Sequence, residues 1–263
     1  MIKTVGVVGA GPAGVAAAIM LKRYGIEVLL FERRTVGGLL NNAWRVENFP
    51  PLEPCTGEEL CRKLEDRLNV NDIAIIPEEV TAVRDRIIVT RRARYTVDYT
   101  LVATGTAPKR LPSLETCSRV VYEYRDIPPG TEVVAIYGAG DMAFDGAVRA
   151  SLRGSRTLLF ARGETLRAIE ALKVSAEKAG VELHRAEPIL RTEPDEALLK
   201  ITTALNVYSV DALLICIGRE SLLPRIDSDR CEIIGDARGE IYRQASIAIG
   251  DGIKSAMKIA LEG

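Results

Sequence analysis

Short apolar runs recur along this chain, and two of them, Val5-Gly-Val-Val8 and Val133-Val-Ala-Ile-Tyr137, pass straight into glycine-rich turns. Runs that are apolar throughout, rather than alternating, predict strands buried on both faces, as in a parallel sheet. The first strand is read over residues 2–8, a helix over 12–24 and a second strand over 27–32. Thr56-Gly-Glu-Glu59 has the spacing of a capping box and predicts a helix whose Leu60, Leu64 and Leu68 share one face. Residues 79–104 alternate around polar turns, which predicts a meander over 80–83, 87–90 and 95–104 whose last part, 99–104, is a returning strand. Arg91, Arg92 and Arg94 mark an exposed turn within it. Pro108 and Pro112 mark a linker, after which the opening plan repeats: strand 132–137, helix 143–152, strand 156–160, helix 166–178, and strands 181–184, 198–204 and 212–217. Residues 220–263 are too short for a third domain, and their Gly/Asp cluster and terminal helix are expected to return to the first.

The two turns read Gly9-Ala-Gly-Pro-Ala-Gly14 and Gly138-Ala-Gly-Asp-Met-Ala143, 129 residues apart. A lone glycine fingerprint is weak, but strand context and repetition strengthen it and point to two dinucleotides. In such a turn the first glycine permits the bend, the second lets backbone approach a pyrophosphate, and the third allows close helix-to-strand packing; the helix N-terminus attracts the phosphate charge. Glu32, 23 residues after Gly9, is placed to accept from a ribose hydroxyl. The same count from Gly138 reaches Ala161, followed by Arg162 with Arg167 nearby. A missing acid and an available guanidinium suit a 2′-phosphate, which favours NADPH with NADH as the alternative. Two dinucleotides in one chain suggest a hydride donor and a bound redox relay.

Composition changes this picture little. Apolar residues make up 47% and charged residues 27% of the chain, and 35 basic against 36 acidic residues leave no strong net field. Nucleic acid or an anionic membrane is therefore not expected as the main partner. Residues 5–21 carry no charge, but four glycines and Pro12 interrupt them, so they are read as strand, turn and helix rather than a signal or membrane span, and a cytoplasmic setting is expected. A single glutamine, Gln244, and a single histidine, His184, amid abundant Arg and Glu suggest a hot environment.

Further motifs follow in order: Gly37-Gly38-Leu-Leu, Val46-Glu-Asn-Phe-Pro50, Ala103-Thr104-Gly105, Ile217-Gly218, Gly235-Asp236-Ala-Arg, Arg243-Gln244-Ala245 and Gly250-Asp-Gly252. With the two glycine turns, they make the chain resemble the thioredoxin-reductase-like flavoproteins of the pyridine nucleotide-disulfide oxidoreductase family over almost its whole length. The resemblance implies an α/β fold of two Rossmann-like, three-layer dinucleotide-binding domains. An NAD(P)H domain, residues 114–216, would be inserted into a discontinuous FAD domain, residues 1–110 and 220–263. It also implies that FAD lies along Gly9, Gly11, Pro12, Ala13 and Gly14, with Glu32 on the adenosine ribose and Asp236 near the ribityl or pyrophosphate region. Gly37, Gly38, Asn48, Thr104, Gly105, Gly235, Gln244 and Ala245 complete that site; Gln244 is a plausible donor to a ring carbonyl. Gly138, Gly140, Asp141, Ala143, Arg162 and Arg167 would hold the nicotinamide cofactor. The family's NADPH-binding members resemble His-Arg-Arg where this chain reads Ala161-Arg162-Gly163, so one arginine is lost. A homodimer is implied as well.

The family's disulfide reductases carry Cys-x-x-Cys just before the second glycine turn, whereas the matching stretch here reads Val120-Val-Tyr-Glu-Tyr-Arg-Asp126. A single thiol cannot cycle as an internal dithiol, so thioredoxin reduction by that route is not expected. Cys61 and Cys216 read as small core hydrophobes, Cys55 and Cys61 are spaced beyond disulfide reach, and none has metal-ligand spacing with the histidine. His184 is expected at a strand end facing solvent, without a role; Trp44 either packs near the flavin or fills a core or surface position. The resulting expectation is hydride transfer from nicotinamide to FAD and then to an external acceptor, a redox protein such as ferredoxin among them. The alternatives are a thiol or disulfide reductase using a lone cysteine such as Cys117 or Cys55, and a regulatory subunit that binds FAD without turnover.

Overall fold

The computed structural model describes residues 2–50 and 52–262. The chain divides into two compact units, the first made of Met1–Asn41, Val46–Ala107 and Glu220–Gly263, the second of Asn42–Arg45 and Pro108–Arg219. In the first, β1 (Thr4–Val8), α1 (Pro12–Arg23) and β2 (Glu27–Phe31) are followed by α2 (Gly57–Val70), β3 (Ile75–Ile76), β4 (Val80–Arg84), β5 (Ile87–Thr90), β6 (Arg94–Thr96), β7 (Tyr99–Val102) and β8 (Thr106–Pro108). The chain then runs through β9 (Val120–Val121), β10 (Val133–Tyr137), α3 (Asp141–Leu152), β11 (Arg156–Phe160), α4 (Glu170–Lys178) and β12 (Glu182–His184). After β13 (Ile189–Asp195), β14 (Leu198–Thr203), β15 (Val207–Val210) and β16 (Ala212–Ile215), it returns along β17 (Arg219–Ser221) to β18 (Arg225–Asp227), β19 (Cys231–Ile233) and α5 (Ala245–Glu262).

Each unit is built on a five-stranded parallel sheet, ordered β19-β7-β1-β2-β3 in the first and β12-β11-β10-β16-β9 in the second. The central strands are apolar throughout because both faces are covered. Val5, Val7, Leu30 and Leu101 are fully buried in the first sheet, as are Ala135, Ile136, Leu159 and Leu213 in the second. Each of the valine, leucine and isoleucine side chains contributes on the order of 1.5–3 kcal/mol by leaving water. The predicted meander forms as antiparallel β4-β5-β6, with β18 added in parallel beside β4, while β7 leaves it to pair with β1. In the second unit β13-β14-β15 make an antiparallel sheet of which only the middle strand was expected.

The alanine-rich sequence of α1 lets α5 approach until backbones touch: a Cβ on Gly252 would meet the Ala13 carbonyl oxygen at 2.1 Å. The capping box of α2 forms as expected, with Thr56 Oγ1 accepting from the Glu59 N–H and Glu59 accepting from the Thr56 N–H. One helix start differs by four residues. The helix expected over 166–178 begins only at Glu170, because the Arg167 and Ala168 N–H groups donate to the Ala139 carbonyl and that of Ile169 to Asp141. Among the described residues, no helix is long and apolar enough to cross a membrane.

Candidate functional site

Both parallel sheets reverse strand order beside the first strand of their βαβ repeat. In the first unit β2 and β3 lie on one side of β1, with β7 and β19 on the other; in the second β11 and β12 flank β10 opposite β16 and β9. Such a reversal leaves a crevice at the carboxyl ends of the strands, where open α/β sheets bind ligands. The glycine turns sit at these carboxyl ends, directly after β1 and β10.

In the first turn Gly9 has φ +103°, and a Cβ there would meet the Ala103 carbonyl oxygen at 2.5 Å. A Cβ on Gly14 would lie 1.8 Å from the Gly9 carbonyl oxygen, so the third glycine seats α1 on the turn. Gly11 differs: nothing lies within 4 Å of its missing Cβ. It is also the N-cap of α1 and makes no side-chain capping bond, and Pro12 has no N–H, so the Ala13 and Gly14 amides open the helix without a side-chain anion in its first turn. Gly140 is likewise uncapped by a side chain and has open space at its missing Cβ, but the first turn of α3 also carries the Asp141 carboxylate. The contrast with α2, capped by Thr56, is physical: uncapped N-terminal amides and open approach are what a phosphate needs.

Around the first turn, Glu32 follows β2 and its carboxylate accepts from the Ala10 N–H at 2.9 Å and the Arg34 N–H at 2.7 Å, tying strand end to turn. Gly37 donates its N–H to the Ala10 carbonyl at 2.8 Å, and the missing Cβ of Gly38 lies 3.7 Å from Gly11 Cα. Thr104 and Gly105 follow β7; the Thr104 hydroxyl donates to the Leu222 carbonyl, and the Leu222 N–H donates to the Gly105 carbonyl. Gly235 and Asp236 lie in a short 3-10 turn, Gly235–Arg238, where a Cβ on Gly235 would press on Ala13 and the Gly235 N–H donates to Asp251 at 2.7 Å. Asn48 and Gln244 meet through their side chains, and Ala245 begins α5.

In the second unit Gly138 packs on Cys216, whose carbonyl oxygen a Cβ would meet at 2.4 Å. Asp141 opens α3 and accepts from the Ile169 N–H at 2.9 Å; Ala143 is fully buried against the core. Arg167 donates its backbone N–H to Ala139 at 2.7 Å, so its loop folds onto the turn. Arg162 is exposed immediately after β11, beside the buried Ala161.

One sequence reading is corrected. His184 does end a strand but does not face solvent. It stacks on Phe160, its neighbour in the β11–β12 register, with centroids 4.5 Å apart, and its Nδ1 pairs with Glu187 at 2.9 Å. Burial raises the Glu187 carboxyl, but hydrogen bonds from Thr203, Tyr208 and His184 outweigh it and hold the group below the usual carboxylate range. For Trp44 the packing alternative holds: it lies half-buried against the second unit's apolar cluster, while its backbone N–H donates to Asp145 at 2.8 Å. Burial pushes the Asp145 carboxyl up to about 6, against the lowering effect of the Trp44 N–H.

Sequence reasoning passed over one ionic cluster. Glu123, two residues past the end of β9, takes an Arg219 donor at 2.9 Å and the Asn42 amide at 2.5 Å, with both charged side chains more than nine-tenths buried. No sequence signal joins Glu123 to Arg219, 96 positions away. The thiols are quiet by comparison: no disulfide joins any of the five cysteines, and burial pushes the Cys216 thiol up to about 12.

The arrangement has known counterparts. The chain is 30% identical over 239 residues to the ferredoxin–NADP reductase of Ignicoccus hospitalis, covering 81% of this chain and 76% of that one. It is 26% identical to thioredoxin reductase 1 of Saccharomyces cerevisiae, covering 95% of each. A protein of the rubredoxin operon of Clostridium pasteurianum is 28% identical over 160 residues, 54% of this chain and only half of that protein's own length. Among solved structures, thioredoxin reductase of Lactococcus lactis shares the fold with a TM-score of 0.85 at 22% identity over all of both chains. The pattern of the pyridine nucleotide-disulphide oxidoreductases matches residues 3–252, and the chain belongs to that family.

Proposed function

We propose that the protein is an FAD-dependent NAD(P)H oxidoreductase, with FAD held by the first unit and the nicotinamide cofactor by the second. The observation that carries this reading is the pair of helices, α1 and α3, that begin uncapped at Gly11 and Gly140 with open space before them, each at the strand-order reversal of a parallel sheet. When bound, FAD accepts a hydride from the nicotinamide and releases electrons to an external acceptor. The chain's own residues bind and orient. Glu32 fixes the first turn and has lone pairs left for a ribose, Asp236 reaches the ribityl or pyrophosphate region, and Gly37, Gly38, Thr104, Gly105, Gly235 and Ala245 give close backbone approach. Asn48 orients Gln244 toward the ring. In the second unit Arg162 and Arg167 favour a 2′-phosphate, and hence NADPH over NADH.

The domain bounds follow, 1–110 with 220–263 for FAD and 114–216 for NAD(P)H. A redox-protein acceptor such as ferredoxin fits a chain without a Cys-x-x-Cys and is supported by the Ignicoccus relative. A homodimer in the cytoplasm of an organism from a hot environment completes the proposal. The test is an anaerobic titration of the purified protein with NADPH, NADH and reduced ferredoxin while following flavin absorbance. Rapid bleaching by NADPH is the expected outcome; a flavin that no donor reduces sinks the reading.

A further inference from the structure

The register of the second sheet sets three residues in one row. β10 pairs with β16 as Ile136↔Leu214 and Tyr137↔Ile215, and β16 with β9 as Leu213↔Val120 and Leu214↔Val121. Continued past the strand ends, the row after Tyr137 and Ile215 holds Gly138, Cys216 and Glu123. Packing agrees: Gly138 abuts Cys216, and the charges of Glu123 and Arg219 both act on the Cys216 thiol. Glu123 therefore stands at the carboxyl edge, across the strand-order reversal from Ala161 and Arg162, which follow β11 on the other side of β10.

That division carries chemistry. A dinucleotide spans such a crevice with its pyrophosphate at the glycine turn and its adenosine ribose at the end of the second strand of the repeat. Its other half then lies over β16 and β9. On that side stands a buried carboxylate beside a buried guanidinium, 2.9 Å apart, with Asn42 at 2.5 Å on the other carboxylate oxygen. Asn42 is itself held, its carbonyl accepting from Arg149 at 3.0 Å. A carboxylate presents about four acceptor sites and a guanidinium five donors. Side by side, they match a primary carboxamide, which donates through its NH2 and accepts through its C=O.

Resting on the proposed function, we propose that Glu123 and Arg219 recognise the carboxamide of the nicotinamide ring, Glu123 accepting from its NH2 and Arg219 donating to its oxygen. The pair is a positioning device, and its buried charge makes it selective against rings that lack the amide donor. A buried ion pair is costly to maintain for stability alone, which makes a recognition role the better account of it.

Calorimetric titration of the full-length FAD-loaded protein tests this with oxidised ligands, so that no turnover intervenes. The ligands are NADP+, NAD+, the 3-acetylpyridine analogue of whichever binds, and the matching adenosine fragment without the ring. The unsubstituted protein needs no variant to be informative: loss of one charge-assisted hydrogen bond makes the acetylpyridine analogue bind about 5-fold to 20-fold more weakly. In Glu123→Gln the parent cofactor weakens by about the same factor and its advantage over the analogue shrinks, while the adenosine fragment binds as before. Equal binding of parent and analogue by the unsubstituted protein overturns the assignment. So does an equal weakening of the adenosine fragment in Glu123→Gln, which marks a purely structural role. If the unsubstituted protein binds neither NADP+ nor NAD+, the proposed function itself falls and takes this inference with it.

Discussion

The side-chain amide of Asn48 donates to the Gln244 side-chain oxygen at 2.6 Å, joining two positions 196 residues apart in the first unit. Gln244 thereby spends its acceptor on Asn48 and keeps its NH2 as an oriented donor. In the proposed function that donor faces a ring carbonyl of the flavin. Asn48→Ala is expected to release it, lowering flavin affinity by roughly 3-fold to 10-fold, in line with one neutral hydrogen bond. Flavin absorbance and retained FAD after dialysis provide the measurement, with Gln244→Ala as the comparison: the two substitutions together should cost little more than either alone.

Two classes of glycine can be separated by experiment. Gly14 and Gly252 are small because backbone presses on them, with a Cβ placed 1.8 Å from the Gly9 oxygen and 2.1 Å from the Ala13 oxygen. Substitution of either by Ala is expected to cost about 2 kcal/mol or more in stability. Gly11 and Gly140 face open space, so Ala there should leave the thermal midpoint within a few degrees, as for surface changes of about 0.5 kcal/mol. Flavin content should nevertheless drop in Gly11→Ala, and nicotinamide-cofactor affinity in Gly140→Ala. Unchanged binding in both would remove the phosphate role assigned to the two helix starts.

The parts of the fold that were legible in the sequence are those whose signal is local. Buried parallel strands appear as continuous apolar runs, the turns after β1 and β10 as glycine patterns, and α2 as a capping box. Two of the strands that escaped notice are short, β9 with two residues and β19 with three, and both owe their strand character to pairing with a longer strand, β16 and β7; the seven-residue β13 lacks a clean apolar alternation and shows only in its pairing with β14. His184 shows the limit at residue level. Strand period places it at an edge, but only the β11–β12 register brings it beside Phe160. The Glu123–Arg219 pair had no sequence signature, because nothing local marks two charges 96 positions apart as partners.

Arg162 should govern the choice of nicotinamide cofactor. It is exposed directly after β11, while Ala161 leaves the adjoining position without a carboxylate. Arg162→Ala is expected to weaken NADP+ by roughly 10-fold, one charge-assisted contact to a phosphate, while leaving NAD+ within about 2-fold. Calorimetry with both cofactors decides the matter. A loss shared equally between them would mean that Arg162 does not face the 2′ position.

Asp145 makes the second unit's stability depend on pH. Its carboxyl stands at about 6, raised from an ordinary 3.8 by burial. Below pH 3.8 the group is protonated whether the unit is folded or unfolded, and it imposes no cost. As pH rises toward 6 the unfolded form ionises first, and above 6 the full cost of burying the charge is present, on the order of 3 kcal/mol. Stability from this group is thus complete below the unfolded value and lost as pH rises through the folded one. Asp145→Asn keeps an acceptor for the Trp44 N–H and removes the titration. Denaturant unfolding followed by the fluorescence of Trp44, the only tryptophan, should show the variant equal to the parent near pH 4 and more stable by up to that amount at pH 8. A difference that does not change with pH would mean that the Asp145 carboxyl titrates at its ordinary value in the folded unit, the cost of burial offset by the Trp44 N–H and the nearby Arg149.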